Sequence, residues 1–368
     1  MKLTFKNDTF KILQIADTQE GRKVSPDTLA LIKAALDREE PDLVVYSGDQ
    51  IWGRGFHGDV NQVRRVLKEL TAPVVERHLP FAICFGNHDR QVGISNADQF
   101  NDIYKSLPGC IGEQAEGIPG GGTYAVPLTA SDGSGRTVMN LYLFDTGTDA
   151  KGGGYEAFDP AIIDWYRKTR DALKAETGHY VPSLVFQHIP MPEYYHVLRR
   201  VKKSEKGAIQ AFRTHKNEFY KLGDTCRPGD MLEEPPSIPD INNGEFDALH
   251  EKGDILGVFV GHDHKNSFVG RYKDMDLGFT QSAGFNVYGN RTKRGVRCFV
   301  LHEDDPTHYD TYTRTYEELV GTKVHRPVFD YLSSKAPATM DAAIPMIVKT
   351  VVGLAVIVAL IILLAKLL

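Results

Sequence analysis

Five short apolar runs punctuate the chain, and each gives way to residues of one chemical kind. Residues 10–16 run into Asp17-Thr18-Gln19, residues 43–47 into Gly48-Asp49, and residues 81–85 into Gly86-Asn87-His88-Asp89. Residues 183–187 run into His188, and residues 255–260 into Gly261-His262-Asp263-His264. A short continuous apolar run predicts a strand buried on both faces. Helical patterns lie between them. Ser25-Pro26 opens one whose apolar positions Leu29, Ile32, Ala35 and Leu36 recur before Pro41 stops it. Asp59 caps a second through Val63, Val66, Leu67 and Leu70, and Ser95 a third through Phe100, Ile103, Tyr104 and Leu107. Strand, helix, strand, helix, strand is a βαβ pattern and predicts an α/β fold. Strands are also expected at 123–128 and 138–144 and a helix at 160–175. A strand-rich end at 266–272, 295–301 and 309–313 suggests a second sheet packed on the first.

The polar residues matter because ligands in α/β proteins bind beyond the carboxyl ends of the strands. Five strand ends bearing Asp, Asn, Gln or His would converge on one place. Gly48, Gly86 and Gly261 suit a chain that turns sharply just before each ligand. If the last strand continues, His262 and His264 project to the same face. Carboxylates, an amide carbonyl and imidazoles, without thiolate, suit divalent ions such as Mn, Fe or Zn. Two ions about 3.5–4 Å apart need one shared carboxylate, and Asp49 is the natural bridge. Such a pair clamps a phosphate ester and lowers the pKa of a shared water for in-line attack. His88, beside Asn87, is placed to give a proton to the leaving oxygen, with Asp89 orienting or charging its imidazole.

Composition narrows the partners. The 368 residues have room for one large domain or two small ones, and the 42% hydrophobic content is ordinary for a globular chain. A net charge of -5 argues against non-specific nucleic-acid binding, which needs a basic face. The four cysteines are scattered and suit a reducing compartment. A polar stretch at 193–235 carries Tyr194-Tyr195-His196 and Arg199-Arg200; it is either a lid beside the site or a solvated excursion. Arg54, His57 and Asn286 are candidate substrate contacts, each outweighed by an ordinary surface role.

The C-terminal end differs from the rest. Residues 350–365 carry no charge and lie between Lys349 and Lys366. As a helix this run is about 24 Å long, a little short of the roughly 30 Å hydrocarbon layer unless lysines snorkel. The alternative is a buried core helix. Lys323, Arg326, Lys335 and Lys349 precede the run and only Lys366 follows, so the positive-inside bias places the domain in the cytoplasm. The expected layout is a catalytic domain at 1–320 with the insertion at 193–235, a linker at 321–343, and a membrane anchor at 344–368.

The ordered set Asp17-x-Gln19, Gly48-Asp49, Gly86-Asn87-His88-Asp89, His188 and Gly261-His262-x-His264 resembles the calcineurin-like metallophosphoesterases, over roughly residues 10–313. The resemblance implies two mixed β-sheets packed as a sandwich and flanked by helices, four layers in αββα order. It implies two divalent ions, one held by Asp17, Asp49 and His264, the other by Asp49, Asn87, His188 and His262. His88 becomes the acid that meets the leaving group. The chain also looks like the purple-acid-phosphatase-like branch, on Asp164-Trp165-Tyr166, residues 188–194 and residues 257–266. True purple acid phosphatases place a tyrosine three residues after the motif aspartate; Trp52 stands there, so a tyrosinate-bound ferric centre is not expected.

Gln19 is the second departure, since the common pattern has histidine there. It ligates a harder ion such as Mn or Mg, or leaves the position to water, or leaves the first site crippled. The expected activity is phosphate-ester hydrolysis, monoesters favoured over diesters. The alternatives are a catalytically silent, membrane-tethered scaffold that binds a phosphorylated partner, and a nuclease or other phosphodiesterase.

Overall fold

A computed structural model of the chain describes residues 3–339, 343–344, 347–354 and 356–358. All five apolar runs are strands, at Thr9–Ile15, Leu43–Ser47, Phe81–Cys84, Ser183–Phe186 and Ile255–Val260. The first three lie parallel and adjacent. Helices Pro26–Glu39 and Val60–Val75 make the crossovers, capped by the Ser25 and Asp59 side chains. The stretch capped by Ser95 is helical but irregular, passing from Asn96–Asp98 through a wide turn at Gln99–Ile103 to a tight one at Tyr104–Ser106.

The strand-rich C-terminal part splits between sheets. Gly295–His302 returns antiparallel to Thr9–Ile15 and Tyr309–Thr315 pairs outside it, completing a five-stranded mixed sheet. Phe268–Tyr272 and Met275–Phe279 instead join the Ser183–Phe186 and Ile255–Val260 strands, with Leu3–Thr4, Tyr124–Thr129 and Thr137–Leu143, in a seven-stranded mixed sheet.

The sheets meet face to face. Phe299 of the first sheet packs its ring 5.3 Å from Phe186 and 4.6 Å from Phe259 of the second. Side-chain alternation explains why the strands lack polar positions: Leu184 and Phe186 face the inter-sheet core, while Val185 faces a second core. Helix Pro160–Thr177 contributes Ile162, Ile163 and Tyr166 to that second core, and helix Glu245–His250 contributes Phe246 and Leu249. The result is four layers, helices outside and sheets inside.

The 193–235 insertion forms a small antiparallel sheet of Leu198–Val201, Phe219–Leu222 and Ile209–Gln210. The stretch expected to be a linker contains a helix, Pro327–Ser334, seated on the two-sheet domain. Half of the expected membrane helix at 350–365 lies outside the described residues; 350–354 and 356–358 are helical. Among the described residues no helix is long and apolar enough to cross a membrane. The four cysteines are free.

Candidate metal centre

The strand ends do converge. Single oxygens of Asp17 and Asp49 and a ring nitrogen of His188 lie within 4.8 Å of one another, all three residues buried. His188 Nε2 is 3.3 Å from Asp49 Oδ2 and 3.9 Å from Asp17 Oδ1. His264 Nε2 is 3.4 Å from Asp17 Oδ1, and His262 Nδ1 is 3.2 Å from His188 Nε2. The last strand ends at Val260, so the pleat does not aim His262 and His264. The turn does: Asp17, Gln19, Asp49 and His262 all take left-handed backbone, φ between 40° and 73°.

The glycines before the ligands are fixed by contact. A Cβ on Gly86 would strike the Asp49 carboxylate, and one on Gly261 would strike that of Asp17. These two strand ends pack directly on a carboxylate carried by another strand end.

Hydrogen bonds outside the cluster leave the right atoms free. His188 Nδ1 donates to Ser47 O at 3.1 Å and His264 Nδ1 to Tyr288 O at 2.9 Å, turning each Nε2 inward. Asn87 Nδ2 donates to Asp149 Oδ1 at 3.1 Å, leaving the Asn87 carbonyl oxygen without a partner. Asn87 Oδ1 and His262 Nε2 are buried without a hydrogen-bond partner, and Asp17 Oδ1 meets only the ring nitrogens of His264 and His188. Buried polar atoms in native proteins are nearly always satisfied. Two carboxylates, an amide oxygen and imidazoles are the donor types a divalent cation takes.

The buried charges set one another's protonation. Burial opposes ionisation of Asp49, but the charges of His188 and His88 outweigh it and hold the carboxyl far below the usual range. Burial likewise opposes the His188 cation, yet Asp49 and Asp17 push it up to about 10. His262 moves the other way, held neutral by burial and then by His188. A neutral imidazole is the form that ligates, so His262 is ready to bind, while a cation must displace the proton of His188.

Two expectations need correction. Asp89 does not orient His88. Its carboxylate accepts the backbone N–H groups of Asp49 and Gly86 at 2.8 Å and of Ile51 at 3.0 Å, so it ties two ligand loops together. Burial and then the Asp49 charge raise it to about 8. His88 instead meets Gln91 Oε1 through Nδ1 at 2.9 Å, and its Nε2 stands 4.0 Å from Asp49 Oδ2.

Gln19 is the other. Its amide nitrogen donates to Asp49 Oδ2 at 2.7 Å and meets His264 Nε2 at 3.2 Å. In this orientation an N–H donor, not an oxygen ligand, faces two groups assigned to the first ion. The buried trio Asp17, Asp49 and His188 fits a cation; the set around Gln19 fits one only after the amide turns over. We expect Gln19→His to raise bound manganese from about one to about two per chain, read by metal analysis of desalted protein.

A cavity of about 460 Å³ opens onto the cluster, lined among others by Trp52, Arg54, His88, Tyr155, Tyr288 and Phe329. A larger cavity, about 650 Å³, lies elsewhere between Lys105, Cys110, Val126 and Glu176, and includes none of the strand-end ligands. His57 is exposed and does not line the smaller cavity. Asn286 lines it, but its amide is committed to Glu20 Oε2 at 2.5 Å and Lys23 O at 3.0 Å. Tyr155, edge-on to His262 at 4.4 Å, and Tyr288, stacked on His264 at 4.2 Å, escaped the sequence reading. Tyr288 sits two residues past Asn286 in a stretch already singled out; nothing local marks Tyr155.

Residues 10–266 match the family model described as calcineurin-like phosphoesterase. The chain is 28% identical over 325 residues to the "Probable inactive purple acid phosphatase 14" of Arabidopsis thaliana, covering 78% of this chain and 74% of that protein. It is 27% identical over 284 residues to "Phosphatase DCR2" of Saccharomyces cerevisiae, covering 70% of this chain and 44% of that one. Among solved structures, a dimetal phosphatase from Danio rerio superposes with a TM-score of 0.49 at 13% identity, covering 83% of this chain and 99% of that one.

Proposed function

The chain belongs to the calcineurin-like phosphoesterase family, and from that premise we propose that it is a metal-dependent hydrolase of phosphate esters, acting on monoesters in preference to diesters. The observation that carries this reading is the buried cluster of Asp17, Asp49 and His188, whose ligand atoms lie within 4.8 Å of one another. Divalent ions bound there supply Lewis acidity toward a phosphoryl oxygen and lower the pKa of a water. The protein's own part is to position and to move protons. Asp49 gathers Gln19, His88 and His188; Tyr155 and Tyr288 brace His262 and His264; the half-exposed Arg54–Trp52 edge meets the rest of the ester. His88, at the cavity wall with its outer nitrogen free of Gln91, protonates the leaving oxygen.

The second reading is a catalytically silent scaffold that binds a phosphorylated partner. It draws on the Gln19 amide facing Asp49 and His264, and on relatives whose names call them inactive. We further propose that residues 350–365 anchor the chain in a membrane with the catalytic domain in the cytoplasm.

A panel of aryl phosphate mono- and diesters, with manganese added to metal-stripped protein, separates these readings. Turnover of monoesters that requires manganese is the expected result. Retention of manganese with no turnover of any ester would establish the scaffold instead.

A further inference from the structure

The Pro327–Ser334 helix is tied, through Arg294, to the carbonyl that orients His264. Its Asp330 is buried, with Arg291 Nε at 3.4 Å from one carboxylate oxygen and Arg294 Nε at 3.8 Å from the other. The buried Arg294 donates to Val287 O at 2.8 Å and Tyr288 O at 3.1 Å, and Tyr288 O is the acceptor that orients His264. Lys265, the residue after His264, adds a second tie through Nζ to Ser334 O at 3.0 Å and Ala336 O at 3.1 Å. So seated, the helix turns Phe329 and Ser333 into the catalytic cavity, and Ala338 beyond it lines the same wall.

The opposite side of this helix is apolar and open. Val328 is 71% exposed, Leu332 62% and Tyr331 51%, at spacings that put them on one face. Such a cluster on a helix of eight residues is unusual for a surface that meets only water. Exposed Arg326 and Lys335 flank it, and Tyr331 lies under the cations of Arg291 and Lys335, each 5.7 Å from its ring. Apolar residues, a tyrosine and bordering basic groups are what a helix in a lipid headgroup layer presents. The uncharged run 350–365 begins fifteen residues further on.

We propose that this helix is two-sided: its outer face rests on the bilayer, its inner face closes the catalytic cavity, and the site therefore takes a phosphomonoester headgroup from the lipid surface. The proposal rests on the hydrolase reading above for its chemistry. That chemistry consumes one water, breaks the P–O ester bond and passes a proton to the lipid's leaving oxygen.

The experiment uses the full chain in phosphatidylcholine vesicles containing phosphatidic acid. A bimane label is placed at Leu332→Cys, with Cys110 and Cys226 changed to serine, and quenching by brominated phosphatidylcholine is read. Quenching is expected there and not for a label at Asp132→Cys, in the exposed hairpin turn between the Tyr124–Thr129 and Thr137–Leu143 strands. Val328→Glu combined with Leu332→Glu should slow phosphate release from vesicles by roughly tenfold and leave p-nitrophenyl phosphate turnover unchanged. An unquenched label overturns the proposal, as does an undiminished vesicle rate in the double variant. A quenched label with no turnover of either ester would instead fell the hydrolase reading and the lipid substrate with it, leaving the bilayer contact standing.

Discussion

Asp49→Asn is expected to strip most of the bound manganese from the protein and to cut monoester turnover by roughly 10³-fold, equivalent to about 4 kcal/mol of barrier. Asp49 is buried, and its two oxygens divide the work. Oδ1 accepts the His88 backbone N–H at 2.8 Å, a bond that asparagine can keep. Oδ2 faces Gln19, His188 and His88 at 2.7, 3.3 and 4.0 Å. In asparagine either that atom becomes an N–H donor or the remaining oxygen is neutral. The shape therefore survives while the one carboxylate shared by both halves of the cluster is lost. Metal analysis after desalting, alongside p-nitrophenyl phosphate hydrolysis, checks both parts. Full metal content with normal turnover would show that Asp49 bridges nothing.

His88→Ala should behave differently. A positioned acid contributes about 10²-fold to 10⁴-fold when the leaving group needs a proton. The loss should be near the upper figure for an alkyl phosphate and much smaller for p-nitrophenyl phosphate, whose leaving oxygen is already stable as an anion. Bound manganese should not change. The His88 ring is partly exposed and tied to Gln91, while the buried cluster that can hold an ion is Asp17, Asp49 and His188. Equal losses on both substrates would make His88 a structural residue, and loss of metal would make it a ligand.

Much of this centre was legible in the chain because strand-end chemistry is local. An apolar run followed within two or three residues by Asp, Asn or His names both a strand and a candidate ligand, and all five strands lie where the runs predict them. The sandwich was less legible, because strand pairing is decided by distant contacts. Nothing near Gly295–His302 says that it returns to Thr9–Ile15 while Phe268–Tyr272 does not. Asp89 shows the limit at a single residue. Its place beside His88 suggests a charge partner, but its oxygens are taken by backbone from the neighbouring loops. Gln19 is legible as an oddity only; which end of its amide faces Asp49 depends on His264, 245 residues away.

The cage that Asp89 builds from backbone amides has a further consequence. It fixes the turns carrying Asp49 and Asn87 by main-chain bonds, whatever side chains those turns display. Architecture and reactivity are thereby uncoupled: a lineage could swap individual donors, dull its chemistry or repurpose the hollow for recognition, and still inherit an intact frame.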